Sequence, residues 1–257
     1  FKELPGDEKA VAKAYRDKNI EERKKSEHRN LQLQLQPTFN AENIIQEAMV
    51  EYKTFNQLPE TNPEEIERKA RAYKRFLDSK GYGFLKVMAD LKLAQFFIPK
   101  TLSNKEYLLT EGDYRAMLSG FKGWQIPQSA KAAAVSYENR FFHWFLEFPE
   151  VFGEGGFDCV LGNPPYLGGK KISGNYGDNY LNYLKENYIP AGGLTDLVTY
   201  FLRRDFNILN NKGFLGLITT NTISQTDTRA AGLDIILVEG DLVFAIKSMK
   251  WPGIAAV

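Results

Sequence analysis

Two short apolar runs constrain this fold more than anything else in the sequence: FDCVLG at 157–162 and GFLGLITTN at 213–221. A strand with one face in water alternates apolar and polar residues. A run without that alternation, bounded by turn residues, suits a strand covered on both faces. Between the two runs lies GGLTDLVTYFLRRDFNILNNKG, where Leu194, Leu197, Val198, Phe201, Ile208 and Leu209 recur at helical spacing. Thr195 is the expected cap of this helix and Gly213 its expected stop. Strand, helix, strand in that order calls for parallel strands joined by a right-handed crossover. Downstream, TDTRAAGLDIILVEG reads as a further helix. DLVFAIKS, KWPG and IAAV read as a hairpin turning at Pro252-Gly253, which adds an antiparallel strand at one side.

Upstream of about residue 140 the chain has a different character. DEKAVAKAYRDKNIEERKKSEHRN is rich in helix formers, with a thin apolar stripe of Val11, Ala14, Tyr15 and Ile20. Its acids and bases are interleaved, the pattern of a solvated helix face rather than a nucleic-acid patch. LQLQLQP at 31–37 alternates and reads as a short strand stopped by Pro37. Asn40 is placed to cap a helix over 41–55, with Ile44, Ile45, Ala48 and Met49 on its apolar face. Pro63 with two following glutamates opens another helix, running towards Ser79. GFLKVMADLKLAQFFIPK is apolar on several sides, as in a buried central helix that ends before Pro99.

Composition excludes several chemistries. The single cysteine, Cys159, rules out an intramolecular disulfide and any multi-cysteine metal site. With only His28 and His143 there is no histidine cage for a metal. No run approaches the roughly 20 apolar residues of a membrane helix, and FKELPGDEKA lacks the core of a signal peptide. A cytoplasmic, membrane-free setting is the expectation. The net charge of +1 selects no partner, because a local basic groove fits inside a balanced total. The start without Met and the end at IAAV read as cuts in a longer chain.

The chemistry lies where the first strand stops. Asn163-Pro164-Pro165-Tyr166 follows directly, at the carboxyl end, where open parallel sheets hold their ligands. Neither proline has a backbone donor, and each fixes its own φ and restricts the residue before it. The Pro164 carbonyl is then a stiff acceptor with little local competition, and the Asn163 side chain adds a second acceptor oxygen. Two acceptors match the two hydrogens of an exocyclic amino group. Tyr166 offers a flat face on which a ring can stack. Together they describe a pocket for an aminated heterocycle.

This tetrapeptide after a buried strand resembles motif IV of amino-group methyltransferases that use S-adenosylmethionine. FFHWFLEFPEVFGEGGFDCVLGNPPYLGG, GFLGLITTNTISQTDTR and WPGIAAV together resemble the bacterial type II (type IIG-like) restriction-modification methylases that act on adenine in DNA. The stretch around VMADLKLAQFFIPK resembles the insertion these proteins carry before motif IV. The resemblance implies an α/β fold: a partial Rossmann-like methyltransferase sheet, from the motif IV strand through a terminal hairpin, plus a mostly helical N-terminal region. It divides the chain into a helical insertion or linker region, 1–138, and the C-terminal half of a class I methyltransferase domain, 139–257. It implies S-adenosylmethionine as cofactor, double-stranded DNA as partner, and a flipped adenine held by Asn163 and Pro164 and stacked on Tyr166. Methyl transfer is then direct, without a covalent enzyme intermediate. Asn163 and Pro165 are expected to touch the methionine end of the cofactor, Lys170 and Lys171 the DNA phosphates, and Trp251 the base pocket. Tyr176 and Tyr180 are left open between base-covering and loop-anchoring roles.

One departure is plain in the sequence. No strand–GxG–helix unit precedes the NPPY stretch, and GGKK at 168–171 has neither that context nor the spacing of a phosphate loop. The resemblance places the cofactor half upstream in the parent polypeptide and a target-recognition domain downstream. An amino-methyltransferase for RNA or protein glutamine can use the same tetrapeptide. A helical interaction module with an orphaned half-site is the non-enzymatic alternative.

Overall fold

A computed structural model describes residues 6–28 and 41–248, with side chains left out at 26–28 and 41. The contacts divide it into two units between Glu147 and Phe148.

The first unit is helical: α1 (Lys9–His28), α2 (Ala41–Asn56), α3 (Pro63–Leu77), α4 (Lys80–Ala94), α5 (Glu111–Leu118), α6 (Pro127–Glu138) and α7 (Trp144–Glu147). Pro63 does open α3, behind an Asn62 cap whose side chain accepts from the Glu65 N–H at 3.0 Å. Ser79 caps the next helix, α4, accepting from the Tyr82 N–H at 3.2 Å. As its apolar composition requires, α4 is central: Phe84, Met88, Leu91 and Ala94 are buried together with Ile44, Met117 and Val135. The solvated α1 earns its place by its polar side chains. Asn19 and Glu22 accept the backbone N–H groups of Glu111 and Gly112, each at 2.8 Å, and so cover the open N-terminus of α5. The strand expected at 31–37 and the Asn40 cap lie outside the described residues.

Buried among these helices is one acid, Asp90, only 3% exposed. Its Oδ1 accepts from Ser136 Oγ at 2.9 Å and lies 2.8 Å from His143 Nε2, and its Oδ2 accepts from Lys86 Nζ at 2.6 Å. Burial pushes the Asp90 carboxyl up, but the hydrogen bonds from His143, Lys86 and Ser136 outweigh it and hold the group below the usual carboxylate range. His143 therefore serves the core. Four residues on, Glu147 accepts from Tyr73 Oη at 3.1 Å and Tyr82 Oη at 3.4 Å, which fastens the end of this unit.

The second unit contains α8 (Pro149–Gly153), β1 (Phe157–Gly162), α9 (Ile172–Tyr176), α10 (Asp178–Asn187), α11 (Leu197–Asn207), β2 (Leu209–Leu217), α12 (Thr226–Ala231) and α13 (Leu233–Ile236). β1 and β2 pair in parallel with α11 between them in sequence, the expected strand–helix–strand order. The rings of Phe148 and Phe152 stand edge-on to Phe157 and anchor the start of β1. Ile172, Leu184, Leu197, Tyr200 and Ala231 form the core behind the strands.

Several details differ from expectation. Asp196 caps α11, accepting from the Val198 N–H at 3.1 Å, while Thr195 turns back to accept from the Gly192 N–H at 3.0 Å. α11 ends at Asn207, and Gly213 lies inside β2 instead of stopping a helix. The register explains this: Phe157 faces Leu209 but Cys159 faces Phe214, so β2 bulges over Asn210–Gly213 to stay paired. β1 is not covered on both faces, for Leu161 is 79% exposed and its neighbour Phe214 67%, with Cys159 exposed beside them. Among the described residues the sheet has two strands, β1 and β2. The helix expected over 226–240 breaks at Gly232 into α12 and α13. Residues 241–247 carry no strand: an extended run needs a hydrogen-bonding neighbour, and no described residue supplies one. The Pro252-Gly253 turn and the second arm lie outside the described residues. No helix among the described residues is long and apolar enough to cross a membrane.

Replacing Asp90 by Asn should remove charge-assisted hydrogen bonds and cost about 2 kcal/mol of stability at pH 7 in urea unfolding. Because the folded carboxyl titrates below its ordinary 3.8, wild type holds this contribution above that pH. It loses the contribution as pH falls through the folded value, so the gap between the two proteins should close in acid.

Candidate active site

The ladder between the strands ends where Ile218 N–H donates to the Gly162 carbonyl at 3.0 Å. Asn163-Pro164-Pro165-Tyr166 leaves from that point. Pro164 is buried, whereas Asn163, Pro165 and Tyr166 are exposed at the carboxyl end of β1. The Tyr166 hydroxyl reaches both Asn163 Oδ1 and, at 3.2 Å, the Ile218 carbonyl. It has one proton, so it serves one acceptor at a time. The ring itself stays 37% exposed.

The far end of the loop is held by the helix that follows. Leu197 N–H, in the first turn of α11, donates to the Leu167 carbonyl at 2.9 Å. Gly169 is buried against the chain just before that helix. A Cβ on Gly169 would fall 2.5 Å from the Leu194 carbonyl carbon and 2.6 Å from the Thr195 oxygen, so only glycine fits without backbone movement. A short 3-10 turn over Gly169–Lys171 leads into α9.

Asp196 ties these pieces together. Besides capping α11 it accepts from Thr222 Oγ1 at 3.4 Å, and its own N–H donates to Thr228 Oγ1 at 3.3 Å. Thr222 belongs to the 3-10 turn Asn221–Ser224 that follows β2, and Thr228 to α12. Asp196 thus joins the helix that holds the proline loop to both segments beyond β2, through its carboxylate to the turn at Thr222 and through its backbone N–H to α12. The sequence pattern points to Thr195 as the cap and carries no signal for the contacts of Asp196, Gly169, Leu167 or Thr222. The adjacent Thr195 and Asp196 are both good caps, and their order alone does not decide between them.

Lys170 and Lys171 are exposed and make no ion pair among the described residues. Tyr176 and Tyr180 pack ring against ring, centroids 5.3 Å apart. Trp251 lies outside the described residues. No group of three or more His, Cys, Asp or Glu among the described residues is placed to hold a metal ion.

A donor-poor, acceptor-rich loop at a strand end, with an exposed ring beside it, has the groups to accept hydrogen bonds from a planar amine. The family model for the Eco57I restriction-modification methylase matches residues 8–236, which takes in both units. The chain belongs to that family. A protein of Methanocaldococcus jannaschii named as a type II restriction enzyme and methyltransferase is 32% identical over 77 residues. That match covers 30% of this chain and 6% of the relative, so the chain spans only a small part of the relative's length. No solved structure matches the chain significantly.

In this member of the family, Gly169→Ala should destabilise the second unit by about 2 kcal/mol, the usual scale of overpacking. Gly168→Ala is the control. No atom lies within 4 Å of its added methyl, and its urea midpoint should barely move.

Proposed function

We propose that this chain carries the base-holding site of an S-adenosylmethionine-dependent DNA adenine-N6 methyltransferase of a restriction-modification or phage-defence system. The observation that carries the reading is the loop at 163–166: its prolines remove competing donors and leave acceptors beside an exposed aromatic face, in a chain of the methylase family. On this reading β1, α11 and β2 belong to a class I methyltransferase sheet. Residues 139–257 form the C-terminal half of the catalytic domain, and 1–138 a helical insertion.

The adenine amine is engaged in base pairing within a duplex, so the base must leave the stack before it can react. Its ring then lies on Tyr166, and its amino hydrogens are accepted by Asn163 Oδ1 and the Pro164 carbonyl. Those hydrogen bonds withdraw the nitrogen lone pair from ring conjugation and aim it. The Tyr166 hydroxyl has to release Asn163 Oδ1 as the base arrives, and the Ile218 carbonyl at 3.2 Å is the acceptor that receives it. Once the nitrogen carries the new methyl group it is cationic, and the two oxygens stabilise that charge until a proton leaves to solvent. Holding the amine in line is the main catalytic contribution.

Bound, S-adenosylmethionine supplies an electrophilic methyl group on sulfonium and departs as a neutral thioether. Asn163 and Pro165, exposed at the strand end, suit its methionine part: an amide for the carboxylate and an apolar face beside it. On this reading Lys170 and Lys171 contact DNA phosphates, and Trp251 contributes to the base pocket.

Methyl transfer from labelled cofactor tests this in the complete gene product, with duplex DNA, ribosomal RNA and protein run side by side. Asn163→Ala should lower kcat on DNA by about 10²- to 10³-fold, the scale for losing one preorganised electrostatic contact. Tyr166→Ala should cost about 10- to 100-fold through the lost stacking, while Tyr166→Phe keeps the ring and stays within about tenfold of wild type. Normal methylation by Asn163→Ala, or methylation of RNA or glutamine in place of DNA, would falsify the assignment.

A further inference from the structure

The segment between the base-holding loop and α10 carries a feature that holding one flipped base does not use. Tyr176, the last residue of α9, is 53% exposed. Its ring leans on Tyr180, which stacks on Tyr183 with centroids 6.5 Å apart at 27°. Tyr180 and Tyr183 pack against the core of the second unit. The exposed ring is therefore the outer end of an aromatic column fixed at its inner end, and little side-chain freedom remains to be lost on binding.

The backbone is equally fixed. Asn175 Nδ2 donates to the Lys171 carbonyl at 2.7 Å, and Gly177, at φ +82°, turns the chain sharply just after the ring while its N–H donates to the Ser173 carbonyl at 2.8 Å. Six and five residues before the ring stand Lys170 and Lys171, without ion-pair partners among the described residues. The start of the segment is locked to the start of α11, Gly169 lying against Leu194 and Thr195 and the Leu167 carbonyl accepting from Leu197 N–H. Cation, cation and rigid aromatic face are thus held by the same helix end that holds the exit of the NPPY loop.

We infer that Tyr176 is a stacking platform for a second nucleobase, one exposed by extrusion of the target base, with Lys170 and Lys171 on the phosphates of the same strand. This rests on the DNA reading of the site. Every base has a π-face, so such a platform tolerates sequence, and its cations make binding depend on salt. A duplex with one base removed mimics the opened stack, leaving an unpaired base opposite the gap.

Fluorescence anisotropy of the complete gene product on an abasic duplex and on the intact duplex tests this. Tyr176→Ala should weaken binding to the abasic duplex about 10-fold and to the intact duplex much less, and Tyr176→Phe should restore it. The Lys170→Ala/Lys171→Ala double variant should lower both affinities alike and flatten the salt slope by about 2. Equal affinities of wild type and Tyr176→Ala for the abasic duplex overturn the inference, as does a Phe variant as weak as Ala. The same loss on single-stranded RNA, with none on the abasic duplex, overturns the assignment to DNA. Tyr176-dependent DNA binding without methyl transfer supports this inference while ending the methyltransferase reading. Methyl transfer with unchanged affinity in Tyr176→Ala ends this inference alone.

Discussion

A loop that gives up its own backbone donors has to be held from outside, and the second unit is arranged around that constraint. Pro164 and Pro165 contribute no N–H, and Pro165 holds Pro164 extended and cannot take a positive φ itself, so the tetrapeptide does not close an ordinary type I or II turn. The fixing points are borrowed. The residue just beyond β2 supplies the Ile218 N–H to the Gly162 carbonyl at the entry, and α11 supplies the Leu197 N–H to the Leu167 carbonyl at the exit. Both donors come from the strand–helix–strand crossover. The parallel pairing of β1 with β2 and the cap of α11 are therefore conditions for the shape of the site as well as features of the fold.

This dependence explains why Asp196 matters. A helix N-terminus carries unsatisfied N–H groups, and α11 spends one of them, that of Leu197, on the loop. The Asp196 carboxylate takes the next donor, Val198, and a hydroxyl from beyond β2, so the end of the helix cannot drift relative to either strand. Two strands alone make a weak sheet. The small core of Ile172, Leu184, Leu197, Tyr200 and Ala231 and this polar clasp do the work that further strands would otherwise do.

What could be read from the sequence follows the range of the physics involved. The stop at Gly162 was legible because proline acts locally: it ends a ladder whatever surrounds it. The α11 pattern and the central position of α4 were legible because a period of apolar residues is local too. The covering of β1 was not, because an apolar run records what a strand tolerates rather than what packs on it, and Leu161 and Phe214 stand exposed. The bulge opposite Asp158 escaped notice since register is a property of two strands. Asp90 could have been found: an acid inside GFLKVMADLKLAQFF must have partners or be ruinously costly, and that reasoning leads to His143 and Ser136. The residues of the NPPY loop stand out in the sequence because their types suggest a chemistry, whereas Gly169 and Leu167 act only through backbone atoms that any sequence possesses.

The choice of tyrosine at the end of the loop also has a physical reason beyond its ring. An exposed amide oxygen such as Asn163 Oδ1 is solvated in the open site, and an unheld side chain would sample rotamers that point away from the base. A hydroxyl within reach holds that oxygen in place without permanently occupying it. The same hydroxyl has the Ile218 carbonyl as its alternative, in the first residue beyond β2. On the proposed reading, exchange between the two keeps the number of satisfied donors constant as the amine enters, so the acceptor is preorganised and yet costs little to free. A phenylalanine would supply the stacking face but leave Asn163 to water. On that reading the ring and the hydroxyl answer separate needs, the first of the base and the second of the Asn163 acceptor.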